Sequence, residues 1–142
     1  SNDKDFAQLV TDKIHLLDPI KNQLMGPDEV VAKWGVPPDR IVDLLSLVGD
    51  KSDNVPGIAG VGQKTAAKYI QKFGSWKEVL DSADQIGGKT GERVAESKDI
   101  VTLANQLVTI REDMDLDIPI DSLAPKILDP DLLISKLQRF GF

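Results

Sequence analysis

The chain has 142 residues, of which 41% are hydrophobic and 28% charged, ordinary proportions for one globular core, and it contains no apolar run near the roughly 18 residues of a membrane span. It has no cysteine, which excludes disulfides and thiolate metal sites, and its start lacks the basic-then-apolar pattern of an export signal. The net charge of -6 argues against a protein that simply coats nucleic acid, yet Lys64, Lys68, Lys72 and Lys77 occupy a stretch without any acidic residue, directly after Asp50 and Asp53.

Residues 3–10 read as a helix start, with Asp3 or Asp5 available to cap free amides and Phe6, Leu9 and Val10 on an apolar side. Ile14, Leu16 and Leu17, then Asp18-Pro19, Lys21-Asn22 and Leu24-Met25, predict a short β-ribbon around a turn, with His15 a structural residue in it. Gly26-Pro27-Asp28 opens a helix that reaches Trp34 and stops at Gly35. Beyond Pro37-Pro38, apolar residues Ile41, Leu44, Leu45 and Val48 recur at helical spacing until Gly49. Asn54-Val55-Pro56-Gly57 is a turn signal, and Gly60-Val61-Gly62 a second one, before a helix that runs to Phe73 and Gly74. Ser75 caps a helix over residues 76–80, residues 86–91 are a flexible connection, and residues 94–107 form another helix followed by an extended piece at 108–110. Residues 113–121 are an acidic, non-helical surface stretch, and residues 131–140 an amphipathic helix using Leu132, Leu133, Leu137 and Phe140. The expected class is mainly α with a short β-ribbon, without internal repeats or a second domain. Starting at Ser1 on a charged motif rather than at Met, the chain reads as a piece of a longer protein.

Three constellations carry chemistry. Asp3-Lys4-Asp5 is either a helix N-terminus whose carboxylates satisfy amides, or a pair facing a hard, oxygen-seeking cation. Gly49-Asp50-Lys51-Ser52-Asp53-Asn54 is either a polar turn or a second carboxylate pair converging on an ion, with Lys51 a solvated charge partner. The run from Gly57 to Ala66 is a glycine hairpin entering a helix. Without side chains at Gly60 and Gly62, backbone amides approach a phosphate closely, and the helix N-terminus adds a favourable dipole. Lys64, Lys68 and Lys72 drift by only about 40° per step and form one cationic stripe, while Ala66, Ile70 and Phe73 lie on a packing face. A tight helix packing with solvating lysines is the alternative, but it leaves the absence of acidic partners unexplained. Gly88-Lys89-Thr90 has the ending of a P-loop, but Ala83 stands where the first glycine belongs and no strand precedes it.

The order and spacing of residues 1–10, of Gly49-Asp50-Lys51-Ser52-Asp53-Asn54-Val55-Pro56-Gly57, and of Gly60-Val61-Gly62-Gln63-Lys64-Thr65-Ala66 resemble the 5′-nuclease family. That family includes flap endonucleases and the 5′→3′ exonuclease domain attached to bacterial DNA polymerase I. The resemblance implies the C-terminal portion of the 5′-nuclease fold, with a helix-3-turn-helix (helix-hairpin-helix-like) DNA-binding subdomain. Residues 1–26 would be the end of the metal-binding α/β core and the β-ribbon, and residues 27–142 the helical DNA-binding region.

By the same resemblance Asp3, Asp5, Asp50 and Asp53 are catalytic ligands of a two-metal site for Mg²⁺ or Mn²⁺, which hydrolyses phosphodiester bonds near a 5′ end or flap. Gly60, Gly62, Gln63, Lys64, Thr65, Lys68 and Lys72 contact duplex or branched DNA. A monovalent cation, K⁺, is implied at the carbonyls of Gly57 and Val61; independently of the resemblance, with the P-loop spacing failing, Lys89 and Arg93 are instead read as touching a distal DNA backbone. The parent is expected to be a monomer in the bacterial cytoplasm, followed by a polymerase domain and serving replication and repair. The family's remaining ligands and its helical arch lie upstream of the matched motifs, so the piece alone is expected to bind DNA weakly without turnover. Asp113, Asp115 and Asp117 read as a solvated loop, not a replacement site. The competing reading is a non-catalytic helix-hairpin-helix DNA-binding module.

Overall fold

The computed structural model describes residues 3–124 and 129–142. Two units compose it, Ser1–Ile110 and Arg111–Phe142, a division absent from the single-domain expectation.

The first unit starts with a 3₁₀ turn, Asp5–Leu9, instead of an α-helix, and Asp3 Oδ1 accepts the Asp5 amide at 3.1 Å while Val10 is already extended. Strands β1 (Leu16–Asp18) and β2 (Gln23–Met25) pair antiparallel, with Leu16 opposite Met25 and Leu17 opposite Leu24. Their turn is held by Asp18, whose Oδ1 accepts the amides of Ile20 and Lys21 at 2.9 and 3.0 Å, an Asx turn. His15 is exposed and lies just before β1.

Helix α1 (Pro27–Trp34) has proline in its first turn and Gly35 in the left-handed region at φ 79°, and Glu29 reaches back to the Gly26 amide at 2.9 Å. A 3₁₀ turn, Pro38–Arg40, leads into α2 (Ile41–Val48), the centre of the core, with Ile41, Leu44, Leu45 and Leu47 buried. Helices α3 (Gln63–Phe73), α4 (Trp76–Asp81), α5 (Ala83–Ile86), α6 (Gly88–Glu96) and α7 (Lys98–Val108) follow. Buried polar groups on α2 are paired, as buried groups must be. Asp43 Oδ1 accepts the Trp76 amide at 2.9 Å and Ser46 Oγ accepts from Asn105 Nδ2 at 3.0 Å, tying α2 to α4 and α7. Gln8 fastens the chain's first turn to the end of α7, donating to the Val108 carbonyl and accepting from the Ile110 amide, both at 3.0 Å.

The connection expected over residues 86–91 is largely helical. Glycine at 91 serves close packing, since a Cβ there would lie 2.5 Å from the Ala83 carbonyl oxygen. The helix expected over residues 94–107 is broken at Ser97, whose hydroxyl turns back to the Arg93 carbonyl at 2.5 Å, a local bond that competes with helix continuation.

The second unit holds a 3₁₀ turn, Ile120–Leu123, after an exposed stretch without regular secondary structure, and α8 (Pro130–Arg139). Asp129 caps α8 by accepting the Leu132 amide at 3.0 Å, and Leu132, Leu133, Leu137 and Phe140 are exposed. Among the described residues no helix is long and apolar enough to cross a membrane.

Candidate metal centre and nucleic-acid interface

Two glycines let the chain cross itself at the end of α2. A Cβ on Gly49 would meet the Gly57 nitrogen at 2.5 Å, and one on Gly57 would overlap the Val48 carbonyl. The crossing is locked by a bridge in which the amides of Asp50 and Val55 each bond the other's carbonyl, at 2.9 and 2.7 Å. Asn54, at φ 57°, turns the loop between them. Asp53 is thereby folded back toward Asp50, and the first turn brings Asp5 to the same place. One oxygen from each of Asp5, Asp50 and Asp53 lies within 4.8 Å of the others. Asp3 is not in that trio, but lines the same depression of about 300 Å³ with Lys4, Asp50, Ser52 and Asp53.

The three carboxylates are unequal. Asp50 is 2% exposed and accepts from Lys4 Nζ at 2.5 Å, from Ser52 Oγ at 2.5 Å and from the Ser52 amide at 2.9 Å. Burial opposes its ionisation, but the hydrogen bonds from Lys4 and Ser52 prevail and hold its pKa at about 2. Asp5 shifts the other way: burial raises its pKa, and the charges of Asp3, Asp50 and Asp53 raise it further against the opposing pull of Lys4. Its Oδ1 is buried without a hydrogen-bond partner. An orphaned anionic oxygen among other carboxylates is what a hard cation satisfies, and an all-oxygen donor set suits such an ion. Lys4, and not the exposed Lys51, is the charge partner of Asp50.

The hairpin starts at the same crossing. The Ile58 amide bonds the Leu47 carbonyl at 2.9 Å, and the Val61 amide bonds the Ile58 carbonyl at 3.0 Å. Gly60 sits at φ 84°, and the space where a Gly62 Cβ would go is open to 4 Å. The amides of Thr65 and Ala66 both bond the Gly62 carbonyl, so those of Gln63 and Lys64 precede the first helical bond of α3. A concavity of about 680 Å³ is lined by Val48, Lys51 and the backbone from Val55 to Gly62, including Gly57 and Val61.

Lys64, Lys68 and Lys72 are exposed on α3, opposite buried Ala66, Ala67 and Ile70, and Thr65 is half-buried. The Lys72 ammonium lies 4.6 Å from the Phe73 ring centroid. The Gln63 side chain donates to the Lys33 carbonyl at 2.8 Å and joins α3 to α1, leaving its backbone amide as the group suited to an anion. Sequence reasoning missed Lys4 and Ser52 as partners of Asp50, although both lie inside the quoted motifs. It placed Arg93 at a distal backbone, whereas Arg93 Nη1 donates to the hairpin carbonyl of Ala59 at 3.4 Å.

Residues 36–131 match the family described as 5′-3′ exonuclease, C-terminal SAM fold, and the chain belongs to that family. DNA polymerase I of Rhizobium leguminosarum is 40% identical over the whole chain, which spans 14% of that protein. A 5′-3′ exonuclease of Aquifex aeolicus is 37% identical over 98% of the chain, which spans 47% of its length. The zinc-bound T5 5′-exonuclease superposes with a TM-score of 0.68 at 24% identity, over 76% of this chain and 41% of that one, and shows the fold. The bacteriophage T5 flap endonuclease, solved in a pseudo-enzyme-product complex with DNA and metal ions, gives 0.66 at 26% identity over 76% of this chain and 40% of that one. The fold class and family expected from the motifs are thus the ones found.

Proposed function

We propose that the chain is the C-terminal part of the nuclease region of a structure-specific 5′→3′ exonuclease and flap endonuclease, gripping duplex or branched DNA beside a divalent-metal site. The observation that carries this reading is the convergence of Asp5, Asp50 and Asp53 at the chain crossing from which the hairpin also springs. A binding-only hairpin module would account for the lysines and leave those carboxylates idle.

In this reading Asp5, Asp50 and Asp53, with Asp3 at the rim, hold Mg²⁺ or Mn²⁺. When bound, such ions supply Lewis-acid stabilisation of the phosphodiester and an activated water. Asp50 is ionised at neutral pH and prepared for a cation by Ser52, while its Lys4 partner would yield to the incoming charge. The amides of Gly60, Gly62, Gln63 and Lys64 and the Thr65 hydroxyl receive phosphate oxygens at the α3 N-terminus. Lys64, Lys68 and Lys72 follow the strand as it leaves, reading backbone and not sequence. Gly57 and Val61 line the concavity, and their carbonyls would hold K⁺, whose charge would favour a phosphate. Residues 1–26 close the metal-binding core and residues 27–142 form the DNA-binding region of a monomeric bacterial cytoplasmic enzyme. The parent carries a polymerase domain, as the DNA polymerase I relatives suggest, and serves replication and repair.

Fluorescence anisotropy with a 5′-flap duplex tests the binding half. The expected affinity falls steeply with salt, and Lys64→Ala with Lys68→Ala reduces the slope of log affinity against log salt by roughly two. A salt-independent affinity would contradict it. The chain by itself is expected not to release 5′ nucleotides; robust Mg²⁺-dependent release that Asp50→Ala abolishes would show that its own carboxylates suffice.

A further inference from the structure

We infer that Arg93 forms, with the Ala59-Gly60 backbone, a phosphate subsite of the hairpin. The inference rests on the DNA-binding reading above and adds a side-chain clamp to it. Arg93 stands on α6, exposed, and crosses to a turn 34 positions earlier in the chain, where its Nη1 donates to the Ala59 carbonyl at 3.4 Å. Its guanidinium lies against Gly60 so closely that a Cβ there would be 2.9 Å from Nη1. Gly60 is glycine for its φ of 84°, and a Cβ there would also displace the end of the Arg93 side chain.

A long, exposed hydrogen bond to one carbonyl contributes little to the stability of the hairpin. Its consequence is orientation. A guanidinium carries five donors in a planar fork, and Ala59 takes one of them. Among the described residues no carboxylate forms an ion pair with Arg93, the four ion pairs present involving Lys4, Arg40 and Arg111. A planar cation left with spare donors, and held against a backbone turn that lines an open concavity, suits the geometry of phosphate oxygens better than a point charge does. The hairpin amides then approach a DNA phosphate from the α3 side and Arg93 from the α6 side. The residue is a binding and positioning group, and takes no part in bond cleavage.

The test is anisotropy of a fluorescein-labelled 5′-flap duplex across a salt series, with thermal melts to confirm folding. Arg93→Ala is expected to weaken binding roughly three- to tenfold and to lower the salt slope by about one. Arg93→Lys restores the slope and only part of the affinity, because charge returns without the fork. Arg93→Gln, which keeps a donor for Ala59 without charge, shares the reduced slope of Arg93→Ala. Lys98→Ala removes an exposed charge from the next helix, α7, and is expected to change the slope by less than half as much. Unchanged affinity and slope in Arg93→Ala, recovery of full affinity in Arg93→Gln, or an equal effect of Lys98→Ala would each overturn the subsite. Should the unsubstituted chain fail to bind the duplex at low salt, the DNA-binding reading itself falls. Should it bind, with Lys64→Ala weakening it and the Arg93 variants not, only the Arg93 subsite falls.

Discussion

The Asp50–Val55 loop and the hairpin that follows it leave the same backbone crossing, yet they are prepared for charge in opposite ways. At the loop, burial and then the like charges of Asp3, Asp50 and Asp53 drive Asp5 toward its neutral form, and one of its oxygens is left without a partner. The hairpin gathers little side-chain charge of its own and offers amides, open space at Gly62 and lysines one helix turn apart. A repelling cluster is selective for a concentrated cation, whereas a backbone cradle tolerates any sugar-phosphate strand. In the proposed reading, placing the two at one crossing couples the position of a phosphate to that of the carboxylates.

The widest separation of effects comes from the crossing itself. Gly57→Ala drives a Cβ into the Val48 carbonyl and should cost more than about 3 kcal/mol, lowering Tm and disabling both regions together. Loss of one function alone would show that loop and hairpin are independent. Asp50→Asn acts on one side only: Mn²⁺ affinity measured by calorimetry should fall by at least roughly tenfold, while metal-free duplex binding is maintained. Equal damage to both would contradict the division.

Acid separates the regions further, because the cluster is built of carboxylates and the hairpin cradle of backbone amides. Asp50 is held below its ordinary value of 3.8, at about 2, so its stabilising contribution, up to roughly 2 kcal/mol, is complete above the unfolded value and is lost as pH falls through the folded one. Asp5 has the opposite sign. Its raised pKa means the folded chain takes up that proton first, so acidification relieves repulsion there and weakens Mn²⁺ binding before Asp50 is protonated. Urea melts from pH 5 to 2 should show the Asp50 loss, and Lys4→Met should remove most of it; a flat profile in the unsubstituted chain would speak against the pair.

The smallest effect belongs to the far end of the stripe. Lys72→Gln should lower the salt slope of DNA binding by about one with a Tm change within about 0.5 kcal/mol of stability, since its ammonium is exposed over Phe73. Any change in Mn²⁺ affinity would be unexpected.

The parts legible in the sequence are those written in local spacing. Helices α1 to α3 announce themselves through Pro27, Gly35, the apolar period of α2 and the glycines around α3, and the ribbon through its turn residues. The two aspartate pairs are also visible, but not their selection: only the folded loop shows Asp5 joining Asp50 and Asp53 while Asp3 stays at the rim. What was hidden depends on distant neighbours. Gly91 looked like a hinge because the Ala83 carbonyl it packs on is in another helix, and Ser97 ends α6 through a hydroxyl bond that no periodicity displays. Lys4 meets Asp50 and Arg93 meets the Ala59 carbonyl across the fold, contacts that charge counting along the chain does not display.

The most direct measurement is paramagnetic broadening by Mn²⁺ in amide spectra of the ¹⁵N-labelled chain, repeated with Asp50→Asn. Loss of signal centred on residues 5, 50 and 53, extending to Gly57 and abolished by the substitution, is the expected result. Broadening no stronger at residues 5, 50 and 53 than elsewhere in the first unit, or unchanged by the substitution, would contradict a cation-binding cluster built at the root of the hairpin.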